Sequence, residues 1–599
     1  MKKFTMLSSV LASALMLTVA SCSSEDVAGG DAQNGKGTTS YLAVNIENVG
    51  SAPASRSYEQ NKGTYEDGTA DESKITNVRF YFFNGDGTPY LLVNKNSDND
   101  SEKQPVNYLE QKVETDGNDH DHTAEIKTKA VLVLNGETKA IPASVIAVIN
   151  PEVLDNTTLH SGTMTLSELR TSATGSKFYD TTNGFVMSNS VYESAGQDVC
   201  STPVANNVFA SSDAALKKPV DIYVERVNAK VNAKIDADYV RTNETEKAWS
   251  KNAEGKYQIN VGNIDVTTYA ENTNATPTTK KYPVYAVVQG WQVADANGKA
   301  EVCKQINTAW YAGELGFSPW TTSDYHRCFW SKSVPFTSGA HGGVNQPVNP
   351  KFENIKLSLS GDFSTTPVYT LPNTPTEVIA NPTTSLNTLT KLIVAAKLVY
   401  KDDNGDYKPA QICQYRGLTY LGEEAVKKQI VGGFARYFKK TTAKSGDVYK
   451  SIGASDIAFK TVSESSEVKD YEVVATLASG VGDLYVKNGE TYEPVSKDVV
   501  NDALAKEEAQ VRSTDGATYY YTPIKHLGEA GKLGEYGIVR NHSYQVTIQN
   551  IKGFGTPVYD PKKEIDPMIP SDDNTYLAAS VKVLSWRVVS SNVDLDQTK

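Results

Sequence analysis

Short runs in which every second residue is apolar recur along the chain, and the first of them is Leu42, Val44 and Ile46 alternating with Ala43, Asn45 and Glu47. A period of two puts these three side chains on one face of a strand, so a strand with one face on a core is predicted here. Ile75 to Phe83 predicts a strand entering the Asn84-Gly85-Asp86-Gly87 turn, with Tyr90 to Val93 as its hairpin partner. Ala143 to Asn150 and Phe185-Val186-Met187 are unbroken apolar runs of buried-strand length, and Leu166 to Thr171 predicts a short helix. After a pause around Leu216 to Pro219, a fresh set of strands starts at Ile222 with IYVERVNAKVNAKI. A boundary is predicted there, giving an N-terminal β domain over 57–220 and a second over 221–575.

In the second half, Val284 to Val293, Leu392 to Tyr400 and Ser543 to Ile551 are the clearest strands, and Asp402 to Asp406 makes a turn. Two helical insertions are expected, Glu423 to Lys440 and Ser496 to Arg512. In the second, Ser496 supplies the N-cap and Val499, Val500, Ala503, Leu504 and Ala505 an apolar side. Strands and helices do not alternate regularly, which excludes a parallel α/β core. At the C-terminus, Leu577, Ala579, Val581 and Val583 share one phase, and then Leu584, Trp586 and Val588 take the other. A slip of one residue turns a strand over, so a bulge or a junction of two strands is expected near Leu584-Ser585. A long apolar strand at a terminus is a pairing edge that something must accept.

The first residues change where this chain belongs. Lys2 and Lys3 precede an apolar stretch from Phe4 to Val19, too short for a stop-transfer helix, which identifies a signal peptide over 1–21. Its end, Val19-Ala20-Ser21-Cys22, resembles a bacterial lipobox, so Cys22 is the expected lipid attachment point and new N-terminus. Ser23-Ser24-Glu25-Asp26 behind it resembles the surface-export tag of Bacteroidetes lipoproteins. Val27 to Thr39 has the composition of a flexible tether. Residues 22–56 then form a lipidated propeptide containing the first strand. Small residues from Gly50 to Ser57 surround a single basic residue, Arg56, in a loop that Pro53 keeps out of regular pairing and open to a protease.

Composition removes several function classes. A net charge of −12 excludes a nucleic-acid partner, whose phosphates need a basic face, and no second apolar segment of membrane length follows the signal. The cysteines after Cys22, namely Cys200, Cys303, Cys328 and Cys413, show no C-x-x-C spacing, so neither zinc nor a thioredoxin-like site is supported. Disulfide pairing stays open, with Cys303 to Cys328 the pair we favour in an oxidising location. The dinucleotide, P-loop, nucleophile-elbow and H-E-x-x-H motifs are absent, and Gly480-Val481-Gly482 reads as a turn. Asp116 to His122 holds metal-ligand residue types but reads as a solvated loop. Asp402, Asn404 and Asp406 imitate an EF-hand start, yet Tyr407 stands where that loop needs Gly. His326 beside Cys328 lacks a third orienting group. The aromatic run from Trp310 to Trp320 reads as a core insertion rather than a sugar platform. No enzyme, cofactor or metal is expected.

The lipobox, the early strand followed by an Arg loop, two β domains and the alternating terminal strand together resemble Bacteroidetes fimbrillins, subunits of type V pili, and within them the minor fimbrium subunits of the Mfa-like group. The more specific pieces are Val224-Glu225-Arg226, Leu371-Pro372-Asn373-Thr374, Ala396-Lys397-Leu398, Val539-Arg540-Asn541 leading into Tyr544, Val546, Ile548 and Ile551, and Val581 to Trp586. The resemblance implies a mainly β protein of two transthyretin-like β-sandwich domains, with helical insertions in the second, an N-terminal strand and a C-terminal donor strand over 576–599. It implies that a trypsin-like, Arg-specific protease cuts between Arg56 and Ser57 and releases the strand of Leu42, Val44 and Ile46. The vacated groove would take the donor strand of an identical subunit, with Leu577, Ala579, Val581, Val583, Leu584, Trp586 and Val588 as the inserting residues. The implied role is a shaft subunit of a homopolymeric surface fimbrium serving adhesion and biofilm formation. Tip and anchor fimbrial proteins would be partners, and the precursor would sit on the outer membrane by its lipid. A monomeric glycan-binding surface lipoprotein is the alternative, which has no reason to carry the Arg56 loop or the phase-flipped terminal strand.

Overall fold

The computed structural model describes residues 39–48, 65–66, 69, 71–93, 105–112, 127–135, 140–154, 158–159, 162–175, 177–189, 201–268, 278–309, 313–315, 330–336, 345–380, 389–443, 446–462, 470–565, 567 and 576–586. It is a mainly β protein. Strands β1 (Thr39–Asn48), β2 (Tyr65–Glu66), β3 (Asn77–Phe83), β4 (Tyr108–Lys112), β5 (Lys127–Asn135), β6 (Ser144–Ile149), β7 (Met187–Asn189), β8 (Val208–Phe209) and β9 (Val220–Arg226) come from the first half of the chain. All but β2 join one sheet, in the order β8-β1-β9-β7-β6-β3-β4 with β5 added on β1. Leu42 and Val44 of β1, Leu132 and Leu134 of β5, and Phe80 and Phe82 of β3 share one core although their strands lie towards opposite ends of that order. The sheet therefore rolls on itself. Its other face carries Tyr81, Phe83, Ile146 and Val148, covered by Leu169 of helix α1 (Leu166–Thr171) and by Val302 and Leu371 from the second half. Burial on both faces is why Ala143 to Asn150 reads as unbroken apolar sequence. Helix α1 starts at a capping box between Thr165 and Glu168, and a second short helix, α2 (Ser212–Leu216), follows in the same half.

Strands β10 (Ala229–Ile235), β11 (Trp249–Lys251), β12 (Tyr257–Thr268), β13 (Thr278–Ala294), β14 (Val368–Thr370) and β15 (Lys391–Lys401) begin the second half. Beyond them an insertion from Ile412 to Val511 carries β16 (Tyr437–Ala443), β17 (Gly446–Ser451), β18 (Leu484–Asn488) and β19 (Thr491–Val495). The chain then returns through β20 (Ala517–Pro523), β21 (His542–Lys552), β22 (Thr556–Pro557) and β23 (Tyr576–Trp586). One sheet runs β14-β10-β21-β23-β2 and the other β11-β12-β13-β15-β20-β22. They face each other over Val231, Ala233, Val546 and Ile548 on one side and Ile259, Ala286, Trp291, Leu392 and Val394 on the other. This is a sandwich.

Several expectations need correcting. Val220 to Arg226 pairs with β1 and β7, so IYVER closes the first sheet and only NAKVNAKI opens the second. The break lies at Val227-Asn228 rather than at 220. Tyr90 to Val93 is not a full hairpin partner: the Tyr90 N–H donates to the Phe82 carbonyl and Leu92 bridges to Val106, while the strand paired along β3 is β4. The two expected helices are shorter, α3 (Glu423–Gly432) and α4 (Lys497–Leu504), with Ser496 capping α4 as anticipated. They belong to one insertion with its own core and two sheets of its own, one of five strands and one of four. Its aromatic and β-branched segments, such as YFKKTTA, extend as strands once Gly432-Gly433 stops α3. Asp402 Oδ1 accepts from the backbone N–H of Asn404 and Asp406, which makes that motif a hairpin turn.

At the base of β21, His526 is buried, with Nδ1 3.0 Å from the Tyr544 hydroxyl and its ring 5.5 Å from that of His542. Burial first, and the neighbouring His542 second, push its pKa well below 6.5. A base with a depressed folded pKa binds fewer protons folded than unfolded. The stabilisation is therefore complete above about pH 6.5 and is lost progressively as pH falls below it. Thermal melts from pH 8 to pH 5 should show the unfolding midpoint of the sandwich fall through this range, and His526→Gln should flatten that slope.

Candidate functional site

The first strand occupies a slot with a partner on each edge. Along one edge β5 pairs antiparallel with β1 from Thr39↔Asn135 to Glu47↔Lys127. Along the other, β8 takes Tyr41 and Leu42, and β9 then pairs in parallel from Val44↔Val220 to Asn48↔Val224. Leu42, Ala43 and Val44 are no more than 2% exposed. The walls around them are Leu132, Leu134, Val220, Ile222 and Val224. Among the described residues β5 has no other strand neighbour, so its place in the sheet depends on β1. A strand with both edges paired and its apolar face buried is structurally equivalent to an internal strand, yet a long segment of chain separates it from every strand it pairs with.

The strand of Leu577, Ala579, Val581, Val583, Leu584 and Trp586 is β23, and it sits in the second sandwich of its own chain, antiparallel to β21. Val583 stands opposite Tyr544, Val581 opposite Val546 and Ala579 opposite Ile548, the three β21 residues being fully buried. On its far edge β23 receives β2 in parallel, Tyr65 against Ser585 and Glu66 against Trp586. The expected break near Leu584-Ser585 is absent: β23 runs continuously through it, and the irregularity lies between Ile548 and Asn550 on β21. Cys22, Arg56, Ser57 and Val588 lie outside the described residues, as do Cys200, Cys328, His326 and the Asp116 to His122 loop. Ile46 is placed on β1 by its pairing with Ile222 and Thr128.

Between the slot and the sandwich lies a buried polar junction that pattern reading alone does not reveal. Glu225 Oε1 on β9 is 2.9 Å from Lys304 Nζ and 3.2 Å from Arg540 Nε. Arg540 Nη2 also donates to the Ser188 hydroxyl and to the Val302 carbonyl. Arg226 donates from Nη1 to Asn541 Oδ1 and from Nε to the Glu72 carbonyl at 2.6 Å. Glu72 in turn pairs with Lys230 at 2.9 Å and accepts from the Tyr369 hydroxyl at 2.6 Å. Burial opposes its charge, but Lys230 and Tyr369 outweigh burial and hold the carboxyl below its usual value. Asn541 adopts a left-handed backbone, φ 56°, which Asn tolerates better than most side chains. Thus Val224-Glu225-Arg226 and Val539-Arg540-Asn541, far apart in sequence, meet in one cluster. The available signal was the presence of charges inside otherwise apolar strands.

Among the described residues no catalytic constellation accompanies this geometry. Among the described residues no group of three His, Cys, Asp or Glu side chains is placed to hold a metal ion. Cys303 and Cys413 are buried, and burial raises the Cys413 thiol to about 12, which keeps it from acting as a nucleophile at neutral pH. What the arrangement presents is a strand, β1, held in a slot with a partner on each edge.

Comparison with known proteins gives a match in the same C-terminal strands. Residues 513–592, spanning β20 to β23, match the family model described as major fimbrial subunit protein type IV, fimbrillin, C-terminal. No curated protein matches the chain. Among solved structures it is similar to a candidate cell adhesion protein of Parabacteroides distasonis at 12% identity and a TM-score of 0.33, covering 92% of this chain and 99% of that one. It is also similar to a candidate cell adhesion protein of Bacteroides eggerthii at 10% identity and a TM-score of 0.29, covering 92% and 98%. The tip fimbrial protein Mfa3 of Porphyromonas gingivalis, with a C-terminal truncation, is similar at 10% identity and a TM-score of 0.28, covering 90% and 99%.

Proposed function

We propose, from the premise that residues 513–592 match the model of the fimbrillin C-terminal family, that this chain is a non-enzymatic subunit of a cell-surface fimbrium, built by strand exchange. In this reading the precursor is a lipoprotein anchored through Cys22. A protease of trypsin-like specificity cuts after Arg56, β1 leaves with the lipid, and the C-terminal strand of a neighbouring copy enters the slot. Further fimbrial proteins at the tip and the anchor are the expected partners, with adhesion and biofilm formation as the outcome.

The observation that carries the reading is the pairing of β1 on both edges, with Arg56 following it in the sequence among small residues and Pro53. Leu42 and Val44 each contribute about 1.5–3 kcal/mol of apolar burial. Removing β1 forfeits that burial and leaves β5 and β9 with unpaired edges, a situation that an added strand relieves. β23, at 11 residues against 10 for β1, has the length and the alternation to do so once it leaves its place between β21 and β2 in its own chain.

Limited trypsin treatment of the purified full chain should create an N-terminus at Ser57 and convert monomers into filaments visible by electron microscopy. Cleaved protein that has lost β1 and stays monomeric overturns the reading. A register test follows from the alternation in β23. An ionised carboxylate in an apolar slot loses several kcal/mol of solvation, so Val583→Asp should abolish the SDS-resistant ladder of an unboiled gel while Lys582→Asp changes it little. Equal ladders would mean that Val583 does not enter the slot.

A further inference from the structure

β23 is held unequally along its two edges. On one edge it pairs with β21 almost throughout, from Tyr576 against Lys552 to Ser585 against His542. On the other, among the described residues, the only strand is β2, and it covers just Ser585 and Trp586. These are the last two residues of β23. By contrast, β1 is paired along both edges, by β5 on one and by β8 and β9 on the other. A paired strand opens most readily by fraying from an end, because each step there breaks few bonds. The Tyr576 end of β23 leads back to Ile565, which is buried in the second half of the chain. A strand that swings out while staying attached there must open first at Ser585 and Trp586, where β2 lies.

The anchor of β2 lies downstream of it. Glu72 follows Tyr65 and Glu66 in the sequence and is buried, with its carboxylate on Lys230 and the Tyr369 hydroxyl and its carbonyl accepting from Arg226. Arg56 precedes β2. A cut after Arg56 therefore leaves the short tie from β2 to Glu72 intact. Departure of β1 empties the slot without unfastening β23.

We infer, resting on strand exchange as proposed above, that β2 is a clasp that keeps β23 in its own sandwich after processing, so that opening of β2 sets the rate at which the fibre grows. Tyr65→Pro combined with Glu66→Pro removes both backbone donors of β2. In the uncut full chain, hydrogen exchange read by mass spectrometry should show the amides of 580–586 exchanging about ten-fold faster, the scale of one or two lost backbone bonds. Residues 39–48 should keep wild-type protection. After trypsin, at equal extents of cleavage, filaments of this variant should lengthen about ten-fold faster by light scattering. The converse variant combines Tyr65→Cys with Ser585→Cys, two positions that face each other. Neighbouring strands lie about 4.8 Å apart, within the span of a disulfide. Oxidised, this variant should be cut and lose β1 yet stay monomeric, and reductant should restore its growth, with wild type treated alike as the control. Unchanged exchange over 580–586 in the proline variant overturns the clasp, as do wild-type filaments from the oxidised cysteine variant, and unchanged growth overturns control of the rate. If the proline variant loses the wild-type melting transition, the cysteine variant decides. Wild-type chain that is cut and never polymerises sinks strand exchange, whereas hydrogen exchange in the uncut chain still decides whether β2 holds β23.

Discussion

Arg56→Ala should leave the chain a lipid-anchored monomer that never polymerises. Arg56 is the single basic residue between Gly50 and Lys62, so removing it removes the only site in that loop for a protease of trypsin-like specificity. With β1 still covalently attached, the slot stays occupied by an intramolecular strand whose effective concentration no neighbouring donor can match. The expected effect is complete loss of the SDS-resistant ladder and of filaments in electron micrographs, with an unchanged circular dichroism spectrum. Because Arg56 stands among small residues in the sequence, a folding defect is not expected to confuse the result. Normal fibres from this variant would sink the processing model.

The second large effect is expected at the junction. Glu225 is fully buried and is the shared counter-charge of Lys304 and Arg540, themselves no more than 2% exposed. Glu225→Ala leaves two cations in a dry site with their counter-charge gone, which costs about 3–5 kcal/mol. Urea denaturation followed by tryptophan fluorescence should show the midpoint fall accordingly. A triple replacement of Glu225, Lys304 and Arg540 by apolar residues of similar volume should recover most of the loss, since the penalty comes from the unpaired charges rather than from the absence of the pair. A midpoint unmoved in Glu225→Ala would show that water reaches the cluster.

How much of this could be read from the residues depends on how far each signal reaches. Ala143 to Asn150, Leu392 to Tyr400 and Ser543 to Ile551 were legible because a strand buried on one or both faces writes its burial directly into its own sequence. The capping box at Thr165 and the N-cap at Ser496 are equally local. The boundary was misplaced because β9 and β10 follow each other with only Val227-Asn228 between them, without a Gly or Pro to mark the change of sheet. The sheets of the insertion were missed because α3 gives way to strands rich in Lys and Thr, where one face is solvated and the apolar pattern is thin. For the site, the alternation of Leu42 and Val44 announced β1, but nothing local announces that β5 and β9 are its neighbours. That fact lives in long-range pairing, and so does the meeting of Glu225 with Arg540, each of which, read alone, is only a charge in an apolar run.

The pairing of β1 also constrains the symmetry of anything built through its slot. One edge accepts a strand in parallel and the other in antiparallel sense, so a replacement strand that restores both ladders has a single allowed direction. The giving surface and the receiving surface are then different parts of the molecule, so two copies either swap strands reciprocally and close as a pair or leave one slot and one strand free for further copies. In the fibre proposed here the second outcome applies, and growth is head-to-tail and open-ended. A fibre made this way has two chemically distinct ends, one with an unfilled slot and one with an unspent strand, and each needs its own means of termination.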